Sequence, residues 1–168
     1  TTESRTVSDD LTDGACSLTA PNAQLHPVVI AAGTTYARFS LFDDFTDGND
    51  DLDLCVYRGA TLVGSSGGGT SAEVVNLTNP TAATYTVVVH GYATDGPSAN
   101  YTLFYWLLGS TDAGNMTVTA PAAATIGTTG TVNLTFSGLA AATKYLGSVV
   151  YGGTTGLPNP TIVRVDTP

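Results

Sequence analysis

Six of the fourteen acidic residues fall within eleven positions: Asp43, Asp44, Asp47, Asp50, Asp51 and Asp53. Like charges packed this closely repel unless water or a cation screens them, and calcium favours clustered carboxylate and carbonyl oxygens. The candidate ligands for a Ca2+ ion are Asp43, Asp44, Asp47, Asn49, Asp51 and Asp53. The stretch is not an EF-hand. Counted from Asp43, Gly48 falls correctly at position 6, but Phe45 and Leu54 occupy positions 3 and 12, where oxygen ligands are required. The second reading is a solvated acidic loop that enters a strand.

Nucleophile motifs are present in letters only. Gly64-Ser65-Ser66-Gly67-Gly68 fits GxSxG, yet that motif acts on a turn from a strand into a helix, and here it runs into more glycine and another strand. Gly69-Thr70-Ser71-Ala72 contains the Gly-Thr-Ser of a subtilisin-type nucleophile, but Val75 stands where that pattern has proline. The only histidines are His26, beside a proline, and His90, after Val87-Val88-Val89. A triad needs nucleophile, base and orienter in contact, and no such set is identifiable. The chain by itself is expected to be non-catalytic.

Two further groups bear on chemistry. Cys16 and Cys55 allow one intramolecular pairing, and neither sits in a CxxC motif; they read as a disulfide or as two buried thiols. A bridge between them would contribute about 4 kcal/mol in the chain-entropy account. Tyr36, Tyr57, Tyr92, Tyr101, Tyr105 and Trp106 are candidates for a ligand platform, chiefly Tyr92, Tyr101, Tyr105 and Trp106. Aromatics also pack across ordinary strands, which is the competing reading.

The elements that must position these residues are strands. The 168 residues carry 42% hydrophobic but only 11% charged side chains, with 29 Thr and 19 Gly. Thr is β-branched and suits a pleated surface. Apolar runs recur about every ten residues between Gly, Pro, Asn and Asp clusters, the pattern of a sandwich or barrel. Strands are predicted at Cys16–Thr19, Val28–Ala31, Tyr36–Phe42, Leu52–Tyr57, Thr61–Val63 and Ala72–Leu77. They continue at Tyr85–Gly91, Tyr101–Leu108, Met116–Ala120, Val132–Phe136, Tyr145–Tyr151 and Thr161–Val165. Val87, Val88 and Val89 imply a central strand buried on both faces, and the Gly64–Gly69 run reads as a turn. A polar, glycine-containing segment at Gly109–Asn115 divides the chain into 1–109 and 110–168. Four Asn-x-Thr sequons, at Asn76, Asn100, Asn115 and Asn133, are what a Thr- and Asn-rich chain contains by chance.

Charge narrows the partners. A net charge of −9 repels nucleic acid, and no apolar run reaches the ~18 residues of a membrane span. One lysine, the acidic balance and the Thr/Gly/Ser/Asn content suit an extracellular protein, and a monomer is expected. The chain opens at Thr1 without a start methionine or leader, which reads as a mature or excised piece.

In order, the chain carries Asp51-Leu52-Asp53-Leu54-Cys55-Val56-Tyr57, then Thr61-Leu62-Val63 and Glu73-Val74-Val75-Asn76-Leu77. Thr84-Tyr85-Thr86-Val87-Val88-Val89-His90-Gly91-Tyr92 and Asn100-Tyr101-Thr102-Leu103 follow. This succession resembles the bacterial pre-peptidase C-terminal domain, a β-sandwich appended to secreted proteases. Cys55 stands where that family usually has an aromatic, and Ala83 replaces its glycine. Farther on, Leu139, Thr143 and Tyr145 are similar to the LxPGTxY of fibronectin type III-like domains, with Ala141 in place of the proline. That motif makes a tyrosine corner of Leu139 and Tyr145.

The resemblance implies an all-β protein: a jelly-roll-like β-sandwich over 1–109, with 1–35 as a connecting segment plus first strands, and a small Ig/fibronectin III-like β-module over 110–168. It further implies the non-catalytic C-terminal region of a secreted subtilisin-like serine protease. An upstream catalytic domain and an insoluble protein substrate such as collagen would be its partners, and substrate binding, secretion or maturation, or stability its task. A carbohydrate-binding module and a structural spacer are the alternatives.

Overall fold

The protein is described by a computed structural model covering residues 1–168. Alternation sets each strand's inward face. In β2 (Gln24–Ile30), His26, Val28 and Ile30 point inward, while Leu25, Pro27 and Val29 face water. The other strands of the first compact unit, Thr1–Ser110, are β1 (Thr2–Ser8), β3 (Tyr36–Ser40), β4 (Asp51–Arg58) and β5 (Thr61–Ser66). They are joined by β6 (Val74–Thr78), β7 (Ala83–Ala93) and β8 (Ser98–Leu108).

The eight form two four-stranded sheets, β1-β8-β3-β6 and β2-β7-β4-β5. Pairing runs β1 with β8, β2 with β7, β3 with β6 and β4 with β5, all antiparallel. That is an antiparallel strip rolled into two layers, the jelly-roll order. Val7, Ile30, Phe39, Leu54, Val87 and Leu103 are among the side chains wholly buried between the sheets. Pro27 sits on edge strand β2, where its missing N–H costs no ladder bond.

Val87, Val88 and Val89 are all fully buried in β7, a central strand, as their run predicts. Val87 and Val89 face the inter-sheet core. Val88 and His90 face the other way and are buried because residues 9–23 cross that outer surface. A disulfide between Cys16 and Cys55 pins the crossing segment, with Cα atoms 6.2 Å apart.

Several boundaries differ from expectation. Cys16–Thr19 is no strand but part of this covering segment, where the disulfide does the work of a ladder. β1 was hidden in its own composition: TESRTVS buries only Val7 and carries no apolar alternation. The glycine run is not wholly a turn, since Gly64–Ser66 extend β5. Gly64 is there because Val75 Cγ1 lies 2.5 Å from where its Cβ would stand.

The second unit, Thr111–Pro168, is built from two ribbons. β9 (Met116–Thr119) pairs with β10 (Asn133–Phe136), and β11 (Lys144–Val149) pairs with β12 (Thr161–Asp166). Val149 is its one buried hydrophobic side chain, so turn hydrogen bonds matter more here than a core.

Candidate functional site

The acidic stretch does not fold as one ligand cage. Asp43 and Asp44 lie exposed in a single 3-10 turn, Asp43–Phe45. Asp47 turns to β8, where its two oxygens accept from the Asn100 backbone N–H (2.8 Å) and Nδ2 (2.6 Å); these bonds hold its carboxyl below the usual range. Asn49 is exposed and Asp50 buried, with its Oδ1 accepting from the Asp95 N–H. Only Asp51 and Asp53 face a common neighbour, Glu73. No three His, Cys, Asp or Glu side chains are grouped to hold a metal ion. Asp47 and Asp50 instead fasten the chain's own loops.

Around Asp53 is a polar cluster on the outer surface of the β2-β7-β4-β5 sheet. Burial, and then the charge of Glu73, push the Asp51 carboxyl up; burial, and then the charge of Asp51, do the same to Asp53. Glu73 is itself buried and accepts from the Ser66 hydroxyl and the Gly68 N–H. His90, wholly buried, sits opposite Asp53 in the β4–β7 ladder. Its Nε2 is 2.8 Å from Asp10 Oδ2, and its Nδ1 is 3.8 Å from Asp53 Oδ2. Asp10 also accepts from the Thr12 hydroxyl, the Thr12 N–H and the Gly14 N–H, which keep it far below the ordinary carboxylate range. Asp10 is therefore the buckle of the covering segment.

The second histidine has an equally closed environment. His26 Nδ1 lies 2.6 Å from Glu3 Oε2, and its Nε2 lies 2.7 Å from Tyr101 Oη. Glu3 is on β1, His26 on β2 and Tyr101 on β8, so this relay ties the two sheets together along one edge. The serines of the apparent nucleophile motifs serve the backbone and Glu73: Ser71 Oγ donates to the Asp50 carbonyl at 2.8 Å, and Ser66 Oγ to Glu73.

The four aromatic candidates do not share a face. Tyr101 is 2% exposed and points inward, so it offers no platform; burial raises its hydroxyl pKa. Tyr105 packs against core residue Phe39 at 6.2 Å between centroids. Tyr92 is half-buried in β7, and Trp106 lies on the opposite side of β8 from Tyr101 and Tyr105. What the alternation of β8 does create is an outward aromatic row. Phe104 and Trp106 stack at 6.1 Å, and Phe45 meets Phe104 edge-on at 4.7 Å.

Beside that row is an open cleft of about 390 Å³. β1 supplies Ser4, Arg5 and Thr6, β8 supplies Asn100, Tyr101 and Thr102, and Phe45, Thr46 and Asp47 form its lip. Phe45 is 40% exposed. Ser4 and Thr102 hydroxyls pair at 2.9 Å, and Thr6 donates to Asn100 Oδ1 at 2.5 Å. Sequence reasoning passes over this cleft because β1 lacks the alternation that marks a strand and Phe45 lies in a turn.

In the second unit, Tyr145 Oη accepts the Ala140 N–H at 2.8 Å, so the Leu139–Tyr145 segment closes as a tyrosine corner. Thr167 locks the same turn, donating to the Ala140 carbonyl at 2.6 Å and accepting from the Thr143 N–H at 2.9 Å. Tyr145→Phe removes one acceptor and should cost about 1 kcal/mol. The loss should appear as faster amide exchange at Ala140, with exchange in β7 unchanged.

These features define the class: a disulfide-pinned jelly-roll sandwich followed by a small two-ribbon β unit. Compared with known proteins, the chain matches no family model and no curated protein. No helix is long and apolar enough to cross a membrane.

Proposed function

We propose that this chain is the non-catalytic C-terminal region of a secreted subtilisin-like protease, and that it holds insoluble protein near the catalytic domain through the cleft beside Phe45. The observation that carries this reading is the placement of the two most specific motifs of the resemblance. Asp51-Leu52-Asp53-Leu54-Cys55-Val56-Tyr57 forms β4, and Tyr85-Thr86-Val87-Val88-Val89-His90-Gly91-Tyr92 lies in β7, its hydrogen-bonded neighbour in a jelly roll. The disulfide supports an oxidising, extracellular setting. The tyrosine corner at Tyr145 supports a fibronectin-like second module.

Both histidines are wholly buried and occupied by carboxylates, so the chemistry of the parent protein belongs to an upstream domain in this reading. The cleft offers an accessible ring flanked by the hydroxyls of Ser4, Thr6 and Thr102, with Arg5 and Asp47 contributing charges of opposite sign. Phe45→Ala should lower retention of the chain on insoluble collagen about tenfold, as loss of an aromatic anchor does, and should cost about 1 kcal/mol of stability through the lost edge-on contact with Phe104, so retention is compared well below the unfolding midpoint of the variant. Co-sedimentation with collagen checks this, and equal retention of both proteins would remove the cleft from the account. Rings beside hydroxyls also suit sugars, so retention on chitin or cellulose with the same Phe45 dependence would favour the carbohydrate-binding reading.

A further inference from the structure

β1 closes the cleft, and its own attachment is unusual. It is an edge strand, paired only with β8. Across to the other sheet it is stitched by Glu3 to His26 Nδ1 (2.6 Å) and by Arg5 Nη1 to the Leu25 carbonyl (2.9 Å). Arg5 also reaches Glu3 at 3.3 Å. Immediately beyond β1, Asp9 N–H donates to the Pro97 carbonyl and Asp10 N–H to Gly91 O at 2.8 Å. Asp10 then holds Thr12, Gly14 and His90, and Cys16 is bonded to Cys55. The strand is thus clasped by one titratable relay and hinged on a fixed, covalently backed segment.

We propose that β1 is an acid-released strand: closed at neutral pH by the Glu3–His26–Tyr101 relay, it undocks from β8 on acidification, pivots at Asp9–Asp10 and dismantles the cleft. The release of bound protein rests on the function proposed above; the opening of the strand does not.

The groups facing His26 are Glu3 and Arg5 from β1 and Tyr101 from β8. With neutral His26, Nδ1–H donates to Glu3 and Nε2 accepts the Tyr101 hydroxyl proton. Protonation puts a hydrogen on both nitrogens, so Tyr101 must turn to accept, and its own proton loses that partner in a dry site. The cationic ring then also lies near Arg5. Burial sets the His26 pKa below its ordinary value, against the opposing pull of Glu3. The stabilisation from neutral His26 is therefore complete above the unfolded value, about pH 6.5, and is lost as pH falls toward the lowered folded value. Glu3, held low first by its bond to His26, acts in the same direction: its contribution is present above its unfolded value and is lost as pH falls through the folded one. Asp10 is held far lower still, so the hinge keeps its grip while the clasp opens.

Hydrogen exchange read by mass spectrometry at pH 7.5 and pH 4.5, corrected for intrinsic rates, tests the opening without any ligand. Protection of the β1 amides Glu3–Val7 should fall at least about tenfold more than protection of β4 and β7. His26→Gln should abolish that difference. Should His26→Gln fail to fold, Glu3→Gln serves with the opposite sign: it removes the carboxylate that pulls the His26 pKa up, so the gap to the unfolded value widens and the β1 protection difference between the two pH values should grow. Parallel loss in β1, β4 and β7, or no loss in β1, overturns the proposal. Selective opening with no release of the chain from collagen at pH 4.5 would keep the strand release and count against the cleft as the binding site.

Discussion

Replacing Cys16 and Cys55 together with alanine should lower the unfolding free energy by about 4 kcal/mol. The bond joins residues 39 apart, so breaking it frees a long loop in the unfolded chain. Its effect in the folded state adds to this. Residues 9–23 have no strand pairing after β1 and stay on the outer surface through short turns, Asp10 and this bridge. Without the bridge, Val88 and His90, both fully buried, lose part of their cover. Urea unfolding of the double variant should show a lower midpoint together with a steeper slope, since an uncrosslinked unfolded chain exposes more surface. Reduction of the native protein should reproduce the result. A loss below about 1 kcal/mol would mean that the covering segment is held chiefly by Asp10.

Gly91→Ala should cost about 3 kcal/mol, the upper end for overpacking. A Cβ there would fall inside van der Waals contact with the Ser8 carbonyl oxygen, and Thr94 Cγ2 would lie 3.4 Å away. The obstacle is backbone and cannot rotate aside. Ser8 ends β1, and the next residues bond to Gly91 O and Pro97 O, so a shift of Ser8 disturbs both strand and hinge. Gly69→Ala is the matched control, because a Cβ meets nothing within 4 Å there; its effect should stay within about 0.5 kcal/mol. Comparing the two midpoints separates close backbone approach from any general cost of losing glycine.

What could be read in the sequence divides along physical lines. Val87-Val88-Val89 announces a central strand because burial on both faces demands unbroken apolar character, whereas Leu52–Tyr57 is legible as a strand only. Two cysteines left a disulfide and a pair of buried thiols both open, and the structure forms the bridge. β1 could not be read that way. On an edge strand with one buried side chain, Thr and Ser serve as well as Val, and the alternation signal vanishes. The acidic stretch misleads for a related reason: spacing along the chain says nothing about where each carboxylate turns. Asp47 goes to Asn100, Asp50 to the Asp95 amide and Asp53 toward His90, and each partner lies at least 37 residues away in sequence. The platform expected of Tyr92, Tyr101, Tyr105 and Trp106 fails because alternation along β8 sends Tyr101 and Tyr105 to one face and Trp106 to the other. Which side faced water depended on the opposing sheet.

The most direct test of the functional account is retention of the chain on insoluble matrices at neutral pH: collagen, keratin and casein on one side, cellulose and chitin on the other. Retention is expected on at least one protein matrix and on none of the glycans, and it should fall in Phe45→Ala. Retention on glycans alone, or on no matrix at all, would contradict that expectation.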